Sequence, residues 1–314
     1  MILDALTALI AFAVAMALYP IAIGLLRRSR TEQVIQAELP ETHHKKAGTP
    51  TGGGMVFVGI GVLGGLLAAL AGHAGALASV AGLMAGGLLG LADDLRKLKV
   101  GSLGIPARLK LPLQFLLAVP VAWLAHGPDT GRQLLLPVDV GWLYWPLAVL
   151  ALVATANAVN LTDGMDGLAG GLTAIALIGL ALVLPGAVAG ERAVAMALLG
   201  GLLAFLRFNR YPARVFMGDV GSLGLGYAVA AMAIQQRVVL LLPLLGLVFV
   251  IETLSVIIQV AYFKATRGRR VFKMTPIHYT FQLEGWSENR IALSFWSVSA
   301  VAALAAGLVA HFAA

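Results

Sequence analysis

Ten runs of apolar residues, broken by short polar segments, organise this 314-residue chain. They fall at roughly 3–26, 54–72, 75–92, 109–125, 142–159, 167–185, 192–208, 220–236, 238–263 and 290–313. About 20 apolar residues carry a helix across the hydrocarbon core of a bilayer. The pattern therefore predicts an all-α membrane protein of about ten transmembrane helices, one polytopic domain over residues 1–314. The third, sixth and eighth runs are rich in Gly and Ala. The first run is too long for a signal-peptide core and lacks a basic leader. Arg27-Arg28-Ser29-Arg30 follow it, which predicts a permanent span.

Composition agrees with the pattern. Sixty per cent of the residues are hydrophobic and 12% charged, whereas a soluble domain carries about a quarter charged residues. No cysteine is present, which excludes disulfides, thiolate catalysis and Cys-based metal sites. The net charge of +7 could suggest nucleic acid, but the basic residues cluster in short loops between apolar runs. All but three of the 22 Lys and Arg fall in odd-numbered connections. The exceptions are Arg132, Arg192 and Arg237. The positive-inside rule then places the odd loops in the cytoplasm and both termini outside.

With sides assigned, the carboxylates separate. Asp93, Asp94, Asp163, Asp166 and Asp219 all lie at cytoplasmic ends of runs, while Asp4, Asp129, Asp139 and Glu191 lie outside. Asp93-Asp94 closes the third run, either as solvated charges or as a pair that opposes the helix dipole and calls for a cation. Asn157-Ala-Val-Asn160-Leu-Thr-Asp163-Gly-Met-Asp166 joins runs five and six with two carboxylates and no base. If helical, it would place Asp163 and Asp166 on one face. Asn209 to Asp219 opens the eighth run, with Phe216 before Gly-Asp219 and glycines suited to close approach of a ligand. Separated aspartates without a Cys or His cage fit Mg²⁺ better than Zn²⁺. Lys46, in His43-His44-Lys45-Lys46-Ala-Gly-Thr-Pro-Thr51, sits beside a Gly/Thr-rich turn that could hold phosphate or simply meet anionic lipid. His278 stands in the last cytoplasmic loop. Glu252 and Gln259 share a face of the ninth run, where an intramembrane carboxylate is either functional or structural. Lysines suited to phosphates, aspartates suited to Mg²⁺ and adjacent lipid together suggest phosphoryl transfer between a nucleotide compound and a lipid phosphate.

These motifs, in order, resemble the polyprenyl-phosphate N-acetylhexosamine-1-phosphate transferases. The resemblance runs from about Lys45 to Trp296. It is carried by Lys-Lys-Ala-Gly-Thr-Pro-Thr, Asp93-Asp94, Asn-Ala-Val-Asn-Leu-Thr-Asp-Gly-Met-Asp-Gly-Leu-Ala, Val-Phe-Met-Gly-Asp-Val-Gly-Ser-Leu and Ile-Glu-Thr-Leu-Ser-Val-Ile-Ile-Gln-Val. Within that family it is most similar to the muramoyl-pentapeptide branch of bacterial peptidoglycan synthesis. The resemblance implies Mg²⁺-dependent transfer of phospho-MurNAc-pentapeptide from UDP-MurNAc-pentapeptide to undecaprenyl phosphate. The products would be lipid I and UMP, and the enzyme a homodimer in the bacterial inner membrane. It further implies Asp219 as a Mg²⁺ ligand, with Asp93 and Asp94 acting at the phosphates and Asp93 the base. Lys46 and Lys110 would hold phosphate groups, and Phe216 would stack on uracil. Thr51, Asn160, Asp163, Asp166, Asn209 and Gln259 would bind substrate, and His278, the first of the family's cytoplasmic histidines, would be catalytic. The branch typically has three consecutive histidines after Pro-Ile. Here the run is His278-Tyr279-Thr280, so only His278 can fill a role that needs imidazole. Two alternatives stay open: the same chemistry on UDP-GlcNAc, and a transporter or lipid-binding scaffold.

Overall fold

The computed structural model describes residues 2–29, 46, 48–100, 104–126, 140–183 and 187–313. His43, His44, Lys45, Asp129, Arg132 and Asp139 of the sequence reading lie outside them. The described residues form helices and connecting turns without a strand. In order these are α1 Ile2–Arg28, α2 Gly54–Leu70, α3 Ala76–Val100, α4 Ala107–His126, α5 Tyr144–Thr162 and α6 Leu168–Ile178. They continue with α7 Ala189–Asn209, α8 Gly218–Gln235, α9 Leu242–Leu245, α10 Leu247–Ala265, α11 Ile277–Leu283 and α12 Glu288–Ala313.

Among the described residues, seven helices are long and apolar enough to cross a membrane: α1, α3, α4, the segment ending in α5, α7, α10 and α12. Large apolar side chains such as Ile21, Leu116, Ile257 and Leu308 stand exposed on α1, α4, α10 and α12. Water would not tolerate so much exposed hydrocarbon, whereas lipid tails would cover it. The chain is a multi-pass membrane protein.

The bundle is built around α8, buried at every position from Val220 to Ile234. A helix apolar all round belongs in a core. Its closest neighbour is α3, and the sequence shows why. Gly82, Gly86 and Gly90 recur every fourth residue and form a smooth strip on α3. A Cβ at Gly86 would lie 2.3 Å from the Leu223 carbonyl oxygen, and one at Gly90 would lie 2.1 Å from that of Asp219. The backbones thus touch along an i, i+4 ridge, with Leu223 and Asp219 themselves four apart. That contact fixes the height of α3 against α8, and with it the spacing of the charged residues at their shared end.

Two predicted spans are shaped differently from expectation. The run at 238–263 is interrupted: a 3₁₀ turn at Val239–Leu241 leads into α9, and Gly246 (φ −102°, ψ 32°) separates it from α10. Pro243 in the first turn of α9 offers no backbone N–H, so the segment cannot continue one regular helix. The run at 167–185 gives α6 followed by a π-helical turn, Gly179–Val183.

Candidate active site

Four helix ends converge at one end of the bundle. They are the last turns of α3 (Asp93, Asp94, Lys97), the first turn of α4 (Lys110), the end of α5 (Asn160, Asp163) and the start of α8 (Asp219). The α3 helix runs on to Val100, so Asp93-Asp94 does not close it as the sequence suggested. The reason lies across the interface. The Asp94 carboxylate accepts the backbone N–H groups of Asp219 and Val220, each at 3.1 Å. Those donors have no partner within α8 itself, and the positive end of its dipole favours an anion.

Asp93 is 1% exposed. It accepts the Ile105 N–H at 2.6 Å and pairs with Lys97 at 2.8 Å and Lys110 at 3.4 Å. Gly104 makes room for it. With φ +91°, a Cβ there would sit 2.7 Å from both carboxylate oxygens. Lys97 also reaches Asp219 at 3.0 Å and Asp94 at 3.7 Å, and Lys110 donates to Asp219. Asn160 donates from Nδ2 to Asp219 Oδ1 at 3.1 Å and to Ser222 Oγ at 2.8 Å. One oxygen from each of Asp93, Asp94 and Asp219 lies within 4.8 Å of the other two. This all-oxygen donor set fits a hard divalent cation. Two ammonium groups do not neutralise three carboxylates, so the cluster keeps an attraction for further positive charge.

The segment from Asp163 to Gly167 is a turn, not helix. Asp163 and Asp166 therefore do not share a helix face. Asp163 caps α5 and lies in the field of Asp219 and Asp94. Burial, reinforced by those two charges, pushes its carboxyl well above the usual carboxylate range. Asp166 turns the other way. Its Oδ1 pairs with Lys46 at 2.8 Å and its Oδ2 accepts the Ala213 N–H at 2.8 Å. Lys46 pairs in addition with Glu288 at 2.7 Å. Asn209 accepts the Gly167 N–H at 2.9 Å and donates to the Val215 carbonyl at 2.9 Å. The Tyr279 hydroxyl donates to the Gly164 carbonyl at 3.1 Å. The turn is thus gripped along its whole length.

Beside it, backbone bonds from Phe216 N to Pro50 O (2.8 Å), Gly53 N to Phe216 O (2.8 Å) and Gly54 N to Met217 O (2.9 Å) join the Thr51 segment to the entry of α8. Thr51 and Phe216 are both half-buried there. Farther along, Gln259 Oε1 accepts the Val271 and Phe272 N–H groups, each at 3.0 Å. His278 is fully buried, with Nδ1 3.1 Å from Glu252 Oε2.

The profile of glycosyl transferase family 4 matches residues 76–237, the stretch that holds the triad, Lys97, Lys110 and the Asp163 turn. A phospho-N-acetylmuramoyl-pentapeptide-transferase of Heliobacterium modesticaldum is 44% identical over 310 residues, covering 96% of each chain. Proteins of that name from Bacillus cytotoxicus (45% over 305 residues, 93% of each chain) and Clostridioides difficile (42% over 309, 95% of this chain and 94% of the relative) agree. The chain belongs to the phospho-N-acetylmuramoyl-pentapeptide-transferase family. Like its family, it is a transferase.

For this transferase the structure brings together Asp93, Asp94, Asp219, Lys110 and Asn160, with Asp163 next to them. It sets Lys46, Asp166 and Asn209 in a second, buried cluster. Gln259 holds the backbone of Val271 and Phe272, and His278 pairs with Glu252 while its ring packs against Gly164 of the Asp163 turn. Sequence reasoning missed Lys97, which it counted only as an orientation charge. The i, i+4 spacing from Asp93 was the available signal. It also missed Glu288, whose partner Lys46 lies 242 residues away, beyond the reach of any local pattern.

Proposed function

We propose that this transferase moves phospho-MurNAc-pentapeptide from UDP-MurNAc-pentapeptide to undecaprenyl phosphate, releasing UMP and forming lipid I. The observation that carries the reading is the Asp93–Asp94–Asp219 triad threaded by Lys97 and Lys110, at one end of an apolar bundle. Phosphoryl transfer asks a protein mainly for positioning and for stabilisation of negative charge. An oxygen of the lipid phosphate forms the new bond to the β-phosphorus as the bond from that phosphorus to the UMP oxygen breaks. Lys97 and Lys110 neutralise phosphate charge. Asp93 takes the proton when the lipid phosphate carries one. Asn160 and the α8 N-terminus hold Asp219 in place. Asp93, Asp94 and Asp219 would hold Mg²⁺, which supplies charge neutralisation at the pyrophosphate. Thr51, Asp163 and Phe216 are assigned to the nucleotide–sugar moiety, with Phe216 on the uracil ring. Lys46, Asp166, Asn209 and Gln259 contribute to the same subsite by holding its walls.

The same reading places the chain in the bacterial inner membrane as one polytopic domain and a homodimer, with both termini periplasmic and the site in the cytoplasm. The charge census and the gathering of site residues at one end support that orientation. Ten spans follow if α2, α6 with its π turn, and the buried α8 also cross. Packed among other helices, these three do not need long lipid-facing surfaces. The test is exchange of UMP with lipid I in detergent. Asp219→Asn and Asp93→Asn are each expected to abolish it, and wild-type exchange in either variant would remove the role given to that residue.

A further inference from the structure

The His278-Tyr279-Thr280 run departs from the three histidines of its branch, and the structure gives each of the three residues a contact. His278 Nδ1 faces Glu252 Oε2 at 3.1 Å, with both side chains fully buried. A carboxylate facing Nδ1 calls for hydrogen on Nδ1 and fixes the orientation of the ring. The ring's Nε2 has no hydrogen-bond partner among the described residues. It packs against Gly164, where a Cβ would lie 2.8 Å from Nε2 and 2.7 Å from the Tyr279 oxygen. The Tyr279 hydroxyl donates to the carbonyl of the same glycine at 3.1 Å. Burial, with Asp163, Glu288 and Glu252 near, pushes the Tyr279 phenol above its ordinary range, so it remains a neutral donor. Thr280 Oγ1 donates to the Met274 carbonyl at 2.6 Å and accepts the Met274 N–H at 3.2 Å. Both rings of the pair thus converge on the residue that follows Asp163.

We infer that Glu252, His278 and Tyr279 form a positioning unit that sets the Asp163 turn for the nucleotide sugar. On this inference Glu252 orients His278, His278 buttresses Gly164, and Tyr279 fixes its carbonyl. Thr280 completes the unit by pinning the loop that carries it. The inference rests on the proposed transfer reaction, and it deepens that reading by naming what sets affinity for the donor substrate.

The test is steady-state transfer from UDP-MurNAc-pentapeptide to undecaprenyl phosphate by the purified, detergent-solubilised full chain, with thermal unfolding measured in parallel. Tyr279→Phe removes one hydrogen bond and should raise KM for the nucleotide sugar about three- to tenfold, with kcat within about twofold. Glu252→Gln keeps an acceptor for His278 Nδ1–H and should stay within about threefold of wild type, whereas Glu252→Leu should raise KM as Tyr279→Phe does. In an Asp163→Asn background, Tyr279→Phe should add no further increase, because both changes act through one turn. Full additivity in that background, an unchanged KM in Tyr279→Phe, or an equal loss in Glu252→Gln and Glu252→Leu would overturn the inference. If Glu252→Leu does not fold, Tyr279→Phe and the cycle still decide. A wild-type protein that forms no product would instead sink the transfer reading itself.

Discussion

Replacing Gly90 by Ala adds a single methyl group, buried in the helix seam one turn before Asp93 and Asp94, and it should disable the site. The new Cβ would lie 2.1 Å from the Asp219 carbonyl oxygen, 2.3 Å from its carbonyl carbon and 2.5 Å from Val220 N. All three are backbone atoms of α8, so no side-chain rotation relieves the clash. Restoring a contact of 3.4 Å from 2.1 Å requires the helices to part locally by 1.3 Å. The Asp94 bonds to Asp219 N and Val220 N are already 3.1 Å long. A shift of that size takes both out of hydrogen-bonding range. It also pulls Asp219 away from Asp93 and Lys97, which sit on the other side of the same seam. Overpacking of this kind costs about 3 kcal/mol. A 1 Å misplacement of reacting groups costs about a hundredfold in rate. The assay is transfer activity and thermal unfolding of the purified protein, with Gly59→Ala as the control. Gly59 lies on α2 and a Cβ there meets nothing within 4 Å. Gly90→Ala should lose at least about a hundredfold in kcat while Gly59→Ala stays near wild type. If Gly90→Ala matched the control in both measurements, the glycine ridge would not be what sets the triad.

Three further outcomes follow from the charged clusters. Lys46→Met leaves Asp166 and Glu288 buried without their shared cation, which should destabilise the protein by about 3–5 kcal/mol and lower its unfolding temperature. Adding Glu288→Gln to that variant should recover part of the loss. Lys97→Ala removes the cation that touches all three aspartates, and it should shift the Mg²⁺ concentration needed for half-maximal activity as well as lowering kcat. An unchanged metal requirement would separate Lys97 from the cation site. Asn209→Ala breaks the link between Gly167 and Val215, at about 1–3 kcal/mol for the groups left unpaired, read by denaturation in detergent.

Hydropathy and charge made the helices legible, because lipid demands long apolar runs and the charged residues gather between them. The run predicted at 142–159 lies within two residues of α5 at its start, and that at 3–26 matches α1 equally well. The break at Gly246 was hidden, since hydropathy averages over a proline and a glycine without seeing the backbone turn. Asp93, Asp94, Asp219 and Lys110 were legible as chemistry because carboxylates and lysines are scarce in so apolar a chain. Their partners were not. Asp94 serves α8 rather than its own helix, and that relation depends on a packing contact between Gly90 and Asp219 far apart in sequence. Gln259 was read as lining a substrate site, and its bonds to the Val271 and Phe272 N–H groups, 12 and 13 residues on, were not legible in the sequence. A polar residue near a site can face substrate or scaffold, and only the fold distinguishes the two.

The central claim is best tested by incubating the purified protein with undecaprenyl phosphate and Mg²⁺, and with either radiolabelled UDP-MurNAc-pentapeptide or radiolabelled UDP-GlcNAc. Label passing into lipid only from UDP-MurNAc-pentapeptide, with UMP released, is the predicted result. Label entering lipid only from UDP-GlcNAc, or no UMP release from either donor, would contradict it.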